Sequence, residues 1–131
     1  MDLLSIAFLD DQKGRSSTFQ LPTGCSLLFW YSGEDLVQHF TSPYPNKFDL
    51  LCMDDLAGGQ GIDGEAVCRF LVTLPNPRRP LFTILHGFSD SLSKKMVEIL
   101  EKGGYPCARL IFTPTKDWLE VALLTAMVDG D

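Results

Sequence analysis

Short, mainly apolar runs recur along the chain, and none of them alternates apolar with polar positions. The five runs are residues 3–9, 26–31, 48–53, 81–85 and 108–112. Strands of a parallel sheet are covered by helices on both faces, so their sequences are continuously apolar, whereas half-exposed strands alternate. The pattern therefore predicts five buried strands in a parallel sheet.

Helical periodicity fills most of the segments between these runs. Apolar residues spaced for one helix face form four stripes: Leu36, Val37 and Phe40; Val67, Phe70, Leu71 and Leu74; Leu92, Met96, Ile99 and Leu100; and Trp118, Leu119, Ala122, Leu123 and Ala126. Asp63 is a candidate N-cap of the second helix, and Gly103 with Gly104 can end the third. The last helix is predicted to begin at Thr113 and Pro114, because proline favours the first helical position.

The stretch 12–25 interrupts this alternation. It contains Gly14, Pro22 and Gly24 and shows no helical stripe, so a loop is predicted where a first helix would otherwise stand. Strand–helix alternation elsewhere implies right-handed crossovers and a three-layer α/β domain. We therefore predict one flavodoxin-like domain over residues 1–131, with a five-stranded parallel sheet in the order 2-1-3-4-5 and the first helix reduced to a loop.

The charge balance excludes several classes of protein. The 131 residues include 11 basic and 17 acidic side chains, for a net charge of −6 and a pI of about 4.7. Broad binding of nucleic acid through its phosphates needs a basic face, so no strong nucleic-acid binding is expected. No apolar run approaches the ~20 residues that cross a bilayer, and the first residues lack the basic start of a secretory signal. A cytoplasmic protein without membrane association is expected.

Cysteine usage agrees with that compartment. Cys25, Cys52, Cys68 and Cys107 are scattered, without C-x-x-C spacing. Isolated cysteines in or beside apolar runs are typical of reduced thiols that pack as small hydrophobic residues. The two histidines are far from any cysteine pair, so the sequence does not favour a zinc site.

Acidic pairs follow two of the predicted strands. Asp10 and Asp11 come after the first strand, and Asp54 and Asp55 come after the third. These strands are neighbours in the predicted order, and ligands of such sheets bind beyond the carboxyl ends of the strands at this point. Gathered carboxylates cannot all stay ionised without a cation or shared protons, and oxygen ligands favour Mg²⁺ or Mn²⁺. The four residues are predicted to hold such an ion; the alternative is that they are solvated turn residues.

His86 ends the fourth predicted strand, which places it beside the same acidic cluster. A nearby carboxylate raises the pKa of a histidine, so His86 is expected to act as a general acid or to contact a phosphate as a cation. The alternative is a structural histidine that caps the helix following it, over residues 89–103.

Several short motifs together resemble the receiver domain of response regulators. In that family an acidic pair ends the first strand, a phosphorylatable aspartate ends the third, and an Asp-Gly pair precedes the next helix. The matching segments are residues 8–11, 48–54, 63–64, 80–85 and 113–114. The resemblance implies that Asp10 and Asp11 hold the metal and that Asp54 accepts a phosphoryl group.

Departures from the receiver pattern resemble a particular branch, the cyclic-phosphate-processing receivers. Thr113 stands where receivers have lysine, and His86 or Gly87 stands where they have threonine or serine. The branch has an acidic start followed by a basic residue, no full first helix and a histidine after the fourth strand. This resemblance implies catalytic roles for Asp54 and His86 and implies phosphate binding by Lys13, Arg15 and Gly87.

Three classes of function follow from these interpretations. The leading one is an atypical receiver or pseudo-receiver, a signalling domain with an acidic divalent-metal pocket that acts by binding another protein. The second is a small metal-dependent phosphoesterase that acts on phosphate or cyclic-phosphate ends. The third is a phage-encoded binding or inhibitor protein that uses the fold as a scaffold, since a fold does not by itself determine function.

Overall fold

Five parallel strands form one sheet in the order β2-β1-β3-β4-β5, with helices on both faces. The computed structural model describes residues 4–57 and 60–129, so residue 3, predicted to begin the first strand, lies outside it. The strands are β1 (Leu4–Leu9), β2 (Cys25–Trp30), β3 (Leu50–Met53), β4 (Phe82–Leu85) and β5 (Cys107–Arg109), and the helices are α1 (Gly33–Thr41), α2 (Gly64–Leu71), α3 (Asp90–Lys102) and α4 (Trp118–Asp129). The predicted flavodoxin-like architecture and strand order are confirmed.

The two faces of the sheet carry different layers. Because successive strand residues point to opposite faces, each central strand contributes to both. One core packs the sheet against α1, α2 and α3 and includes Ala7, Leu9, Leu51, Met53 and Leu85. The other packs it against α4 and includes Ile6, Phe8, Leu50, Cys52 and Ile84. Three helices therefore cover one face, and one helix covers part of the other.

The loop predicted in place of a first helix completes the second face. Residues 10–24 contain a short 3-10 helix, Lys13–Ser17, and then Phe19, which is buried with its ring centroid 5.3 Å from that of Phe8 and 6.0 Å from that of Trp118. One aromatic side chain thus fills the space that the apolar stripe of a helix would occupy. The residues before Phe19 lie at the carboxyl ends of the strands, where Arg15 meets Asp10. The residues after it return to the amino end of the sheet, where the Leu4 N–H donates to the Gly24 carbonyl.

Helix starts are fixed by side-chain caps at that same edge. The Asp63 carboxylate accepts a hydrogen bond from the Ala66 N–H at 3.0 Å, as predicted, and the Ser89 hydroxyl accepts from the Leu92 N–H at 3.4 Å. Helix α3 ends at Lys102 with Gly103 as its C-cap, and Gly104 follows with a φ of +79°. Capping groups and glycine stops were recognisable in the sequence because they act through local chemistry.

The predicted start of the last helix is wrong. Helix α4 begins at Trp118, not at Thr113 and Pro114. The backbone beyond β5 continues to pair with β4, since the Phe112 N–H donates to the His86 carbonyl. The Thr115 N–H then donates to the Thr113 carbonyl at 2.8 Å, and the Lys116 carbonyl accepts from the 10–24 loop. These long-range and turn hydrogen bonds accompany a non-helical path over residues 113–117, which local proline preference does not reveal.

Helix α4 turns Trp118 into the core and leaves other apolar side chains at the surface. Its large exposed apolar residues are Val121, Leu124, Met127 and Val128. No helix in the part of the chain that the structure describes is both long enough and apolar enough to span a membrane.

Candidate acidic centre

Three side chains from neighbouring strands meet at the carboxyl edge of the sheet. Leu9, Met53 and Leu85 are in register in β1, β3 and β4, so the residues after them, Asp10, Asp54 and His86, emerge side by side. All three are buried, and one ligand atom from each lies within 4.8 Å of the others. Of the four acids predicted at this edge, Asp10, Asp54 and Asp55 are buried and Asp11 is exposed.

Arg15 enters this centre from the 3-10 helix Lys13–Ser17. Its Nη1 atom donates to Asp10 Oδ2 at 2.8 Å and lies 3.7 Å from Asp54 Oδ1. The guanidinium carbon lies 5.1 Å from the ring centroid of Phe88 and 5.3 Å from that of Phe112. With 16% of its side chain exposed, this cation is largely withdrawn from water, and its charge faces both carboxylates.

Asp10 is the most fully hydrogen-bonded acid of the group. Its Oδ1 accepts from the Gln12 N–H at 2.8 Å, and its Oδ2 accepts from Arg15 and lies 2.9 Å from His86 Nε2. Burial alone would raise the pKa of Asp10, but the hydrogen bonds from His86, Gln12 and Arg15 outweigh it, so the pKa lies below its ordinary value. Asp10 is therefore a fixed anion with its charge satisfied internally.

His86 is neutral, which corrects the expectation that its pKa would be raised. The ring is completely buried, stacked on Phe8 at 4.7 Å and edge-on to Trp118 at 5.5 Å. This burial lowers the pKa of His86, and the nearby Asp10 carboxylate only partly opposes it. The geometry assigns the proton to Nε2, which donates to Asp10, because Nδ1 is buried without a hydrogen-bond partner among the described residues.

This placement makes His86 a positioning residue. It orients Asp10 from behind, and the cap of the following helix is Ser89 rather than His86. No face of its ring is open to a substrate, since the whole residue is 0% exposed. None of the three roles expected from the sequence, general acid, cationic phosphate contact or helix cap, matches this position.

Asp54 is the acid with an unusual charge state. It is 7% exposed, and its Oδ2 accepts a single long hydrogen bond of 3.3 Å from the Leu56 N–H. Burial, followed by the charges of Asp10 and Asp55, raises the pKa of Asp54 to about 7, although Arg15 opposes the shift. Leu56 has a φ of +55°, a left-handed conformation that is uncommon for a leucine. The chain thus holds a strained turn directly beside a carboxyl that titrates near neutrality.

Asp55 braces the loops around the centre. Its Oδ1 accepts from the Ala57 N–H at 3.0 Å, and its Oδ2 accepts from the Ser89 N–H at 2.8 Å. A Cβ at Gly87 would lie 2.5 Å from Asp55 Oδ2, so the close approach of these loops requires glycine there. Asp55 connects the turn after β3 to the start of α3.

The remaining residues predicted for the site lie at or beyond its rim. Asp11 is exposed and lines a cleft of about 530 Å³ together with Gln12, Arg15, Asp54, Asp55, Ala57, Phe88 and Ser89. Lys13 points its Nζ to the ring of Tyr31, 5.3 Å from the ring centroid. Of the two basic residues implied by the resemblance, Arg15 alone is within 4 Å of the buried acids among the residues described.

Phe88 was missed by sequence reasoning. It is 57% exposed and lies over the Arg15 guanidinium at the mouth of the cleft. A single aromatic residue in a loop carries no periodic signal, so only its unusual exposure in three dimensions marks it. Gln12 was missed as well, because it contributes only its backbone N–H to the site and any residue type could do so.

The buried acids and His86 could hold a metal ion, although not while the Arg15 guanidinium occupies the same place. Asp10, Asp54 and His86 offer two carboxylate oxygens and an imidazole nitrogen within 4.8 Å of one another. Both lone-pair directions of Asp10 Oδ2 are already used, by Arg15 and His86. The residues therefore fit a divalent ion only if the guanidinium moves away.

Comparisons with known proteins bear on the fold of this chain and not on its function. No family model and no curated protein matches the chain. A similar solved structure is a chimera described as a yeast Spc42 trimeric coiled-coil segment fused to another structure. It is 18% identical, covers 99% of this chain and 81% of its own, and superposes with a TM-score of 0.64. At this identity the likeness shows a shared fold alone.

Proposed function

We propose that this protein is a pseudo-receiver, a regulatory domain that acts by binding another protein rather than by catalysis. The observation that carries the proposal is the internal neutralisation of the acidic centre, where Arg15 Nη1 lies 2.8 Å from Asp10 and 3.7 Å from Asp54. A receiver-like site whose cation is part of the chain has no need of a metal to stay folded.

Further support comes from the groups that catalysis would require. His86, the expected proton donor, is sealed behind Asp10. Both Asp55 oxygens accept backbone N–H groups. The pKa of Asp54 is raised to about 7 and that of Asp10 is lowered, a separation typical of acid–base pairs. Both Asp10 oxygens, however, are already hydrogen-bonded, to Gln12, Arg15 and His86, so Asp10 is not free to act on a substrate. These arrangements favour a binding domain over the phosphoesterase.

A divalent ion remains compatible with the pocket under one condition. Mg²⁺ or Mn²⁺ would be held by Asp10 and Asp54, with Asp11 at the rim and Arg15 displaced. Such an ion, when bound, supplies positive charge that offsets repulsion between the acids and an incoming phosphoryl group. The chain's own contribution is to hold Asp10 in place through His86 and Gln12.

Thermal melting with a phosphoryl mimic tests whether phosphorylation of an aspartate changes the stability of the domain. Beryllofluoride with Mg²⁺ mimics an aspartyl phosphate, and we expect no rise in melting temperature beyond that with Mg²⁺ alone. Phosphate release is measured in parallel from phosphate monoesters and 2′,3′-cyclic nucleotides. A mimic-dependent rise abolished in Asp54→Asn, or turnover abolished in both Asp10→Asn and Asp54→Asn, would overturn the proposal.

Photo-crosslinking tests the protein partner directly. A photoreactive amino acid is placed at Phe88, beside the cleft, or at Tyr44, which is 94% exposed and lies beyond the end of α1. We expect one protein to be crosslinked from position 88 and not from 44. The purified partner should then bind the unlabelled domain, and Phe88→Ala should weaken that binding. Equal labelling from both positions, or binding unaffected by Phe88→Ala, would contradict a partner at this face.

A further inference from the structure

We infer that Arg15 is the resident cation of the acidic centre, that it and a divalent metal ion exclude one another, and that metal entry must release the segment around the 3-10 helix Lys13–Ser17. This inference concerns the cation chemistry of the pocket, so it stands or falls independently of whether the domain binds a protein partner.

The first step is that the two cations need the same place. A metal held by both buried acids must approach Asp10 and Asp54 at about 2.1 Å for Mg²⁺. Arg15 Nη1 already lies between them, 2.8 Å from Asp10 Oδ2 and 3.7 Å from Asp54 Oδ1. His86 Nε2 occupies the other side of Asp10 Oδ2 at 2.9 Å. Two cations bridging one pair of carboxylates would overlap sterically and repel each other in a poorly hydrated site.

The second step is that Arg15 is held by more than charge. Its guanidinium contacts the rings of both Phe88 and Phe112, and contacts of this kind strengthen when the cation is partly desolvated. Its backbone carbonyl accepts from both the N–H and the hydroxyl of Thr18. An ion must therefore compete with a preorganised side chain rather than with water, which weakens metal binding by the wild-type protein.

The third step links the pocket to the surface. When Arg15 leaves the acids, its guanidinium also loses its contact with Phe88 at the cleft mouth. The residues that flank Arg15 in the chain must move with it. Lys13, Gly14, Ser16 and Ser17 contribute no buried side chain to this short helix. Segments with few buried contacts open at low free-energy cost. Displacement of Arg15 is therefore expected to loosen this segment and not the sheet.

The experiment measures Mn²⁺ binding by electron paramagnetic resonance of the free ion. Wild type is compared with Arg15→Gln, which vacates the place between the acids, and with Lys13→Gln, which removes the same charge from the same helix but from over the Tyr31 ring. We expect Arg15→Gln to bind Mn²⁺ about tenfold more tightly or better, with Lys13→Gln close to wild type, because only the former removes a competing cation. Equal affinity in all three proteins, or no binding by Arg15→Gln, would overturn the inference.

Two further measurements guard against a variant that fails to fold. Arg15→Lys keeps a positive charge but loses the planar guanidinium, and it should bind Mn²⁺ with an affinity between those of wild type and Arg15→Gln. Hydrogen exchange of the wild-type protein at saturating Mn²⁺ should show faster exchange over residues 12–18 and unchanged exchange in β1 and β3. Saturation by Mn²⁺ with residues 12–18 unaltered would show that metal and Arg15 coexist, contrary to the inference.

Discussion

Replacing Asp54 by asparagine should stabilise the protein, and increasingly so as the pH rises. The pKa of Asp54 is about 7 in the folded protein, against 3.8 for an ordinary aspartate. A raised pKa means that the folded state binds the proton more tightly than the unfolded chain. The stability contributed by this proton is therefore complete below the unfolded pKa and is lost as the pH rises through 7. Asparagine keeps the shape and an acceptor for the Leu56 N–H without the charge.

The magnitude follows from the two pKa values. At ~1.4 kcal/mol per pKa unit, ionised Asp54 costs the folded state ~4 kcal/mol above pH 7. About 2.5 kcal/mol of this develops between about pH 5 and pH 8, since part of the cost is already present at the lower pH. That is a large fraction of the roughly 5–15 kcal/mol that stabilises a typical domain.

Urea unfolding followed by tryptophan fluorescence measures this effect, because Trp118 is buried beside the site. The free energy of unfolding of Asp54→Asn minus that of wild type should grow from about pH 5 to pH 8. Asp90→Asn is the control: a hydrogen bond from Arg109 lowers the pKa of Asp90, so this surface residue stays ionised across the range. A difference that is independent of pH, or a variant less stable than wild type at pH 8, would refute the assignment of the raised pKa to Asp54.

Four other substitutions test separate parts of the structure, and Gly14→Ala among them is a control. Gly87→Ala should destabilise the fold by ~1–3 kcal/mol in urea unfolding, since its Cβ would lie 2.5 Å from a buried carboxylate oxygen; Gly14→Ala, with no atom within 4 Å of the added Cβ, should be nearly neutral. Gly104→Ala should cost ~1 kcal/mol through backbone strain alone, because φ is +79° and the site is otherwise open. His86→Ala should cost ~3 kcal/mol, since it leaves a cavity and removes a donor from Asp10. The pKa of His86 is lowered by burial, so nuclear magnetic resonance should find its ring neutral at pH 6.5, and its contribution to stability should be lost as the pH falls below that value.

The fold could be predicted because its signals are local and repeated. Continuous apolar runs identified the five strands, and helical stripes with Asp63 and the Gly103–Gly104 stop identified the helices. The start of α4 could not be predicted, because the hydrogen bonds that flank Thr113 and Pro114, from Phe112 to His86 and from Gln20 to Lys116, join residues distant in the sequence. Local preference is overridden wherever long-range pairing continues past a strand end.

The site could be predicted only to the level of the sheet edge. Strand order places the residues after Leu9, Met53 and Leu85 together, and this much follows from topology. Topology does not determine which of the four acids turn inward: Asp10, Asp54 and Asp55 are buried, and Asp11 is exposed. It also cannot show that the aromatic surroundings of His86 outweigh the attraction of a carboxylate, which is a balance between desolvation and charge.

The absence of a first helix and the position of Arg15 in the acidic centre have the same structural cause. Asp10 and Arg15 are five residues apart, and a helix starting directly after β1 would carry the chain away from the sheet edge at ~1.5 Å per residue. Here the Gln12 N–H bonds back to Asp10 Oδ1, and the 3-10 helix that follows bends the chain over the strand ends. That return brings Arg15 onto the carboxylate five residues before it. Restoring a regular helix over residues 12–20 would consequently remove the guanidinium and reopen the centre to a metal, so the loop is the element that determines which cation the acids hold.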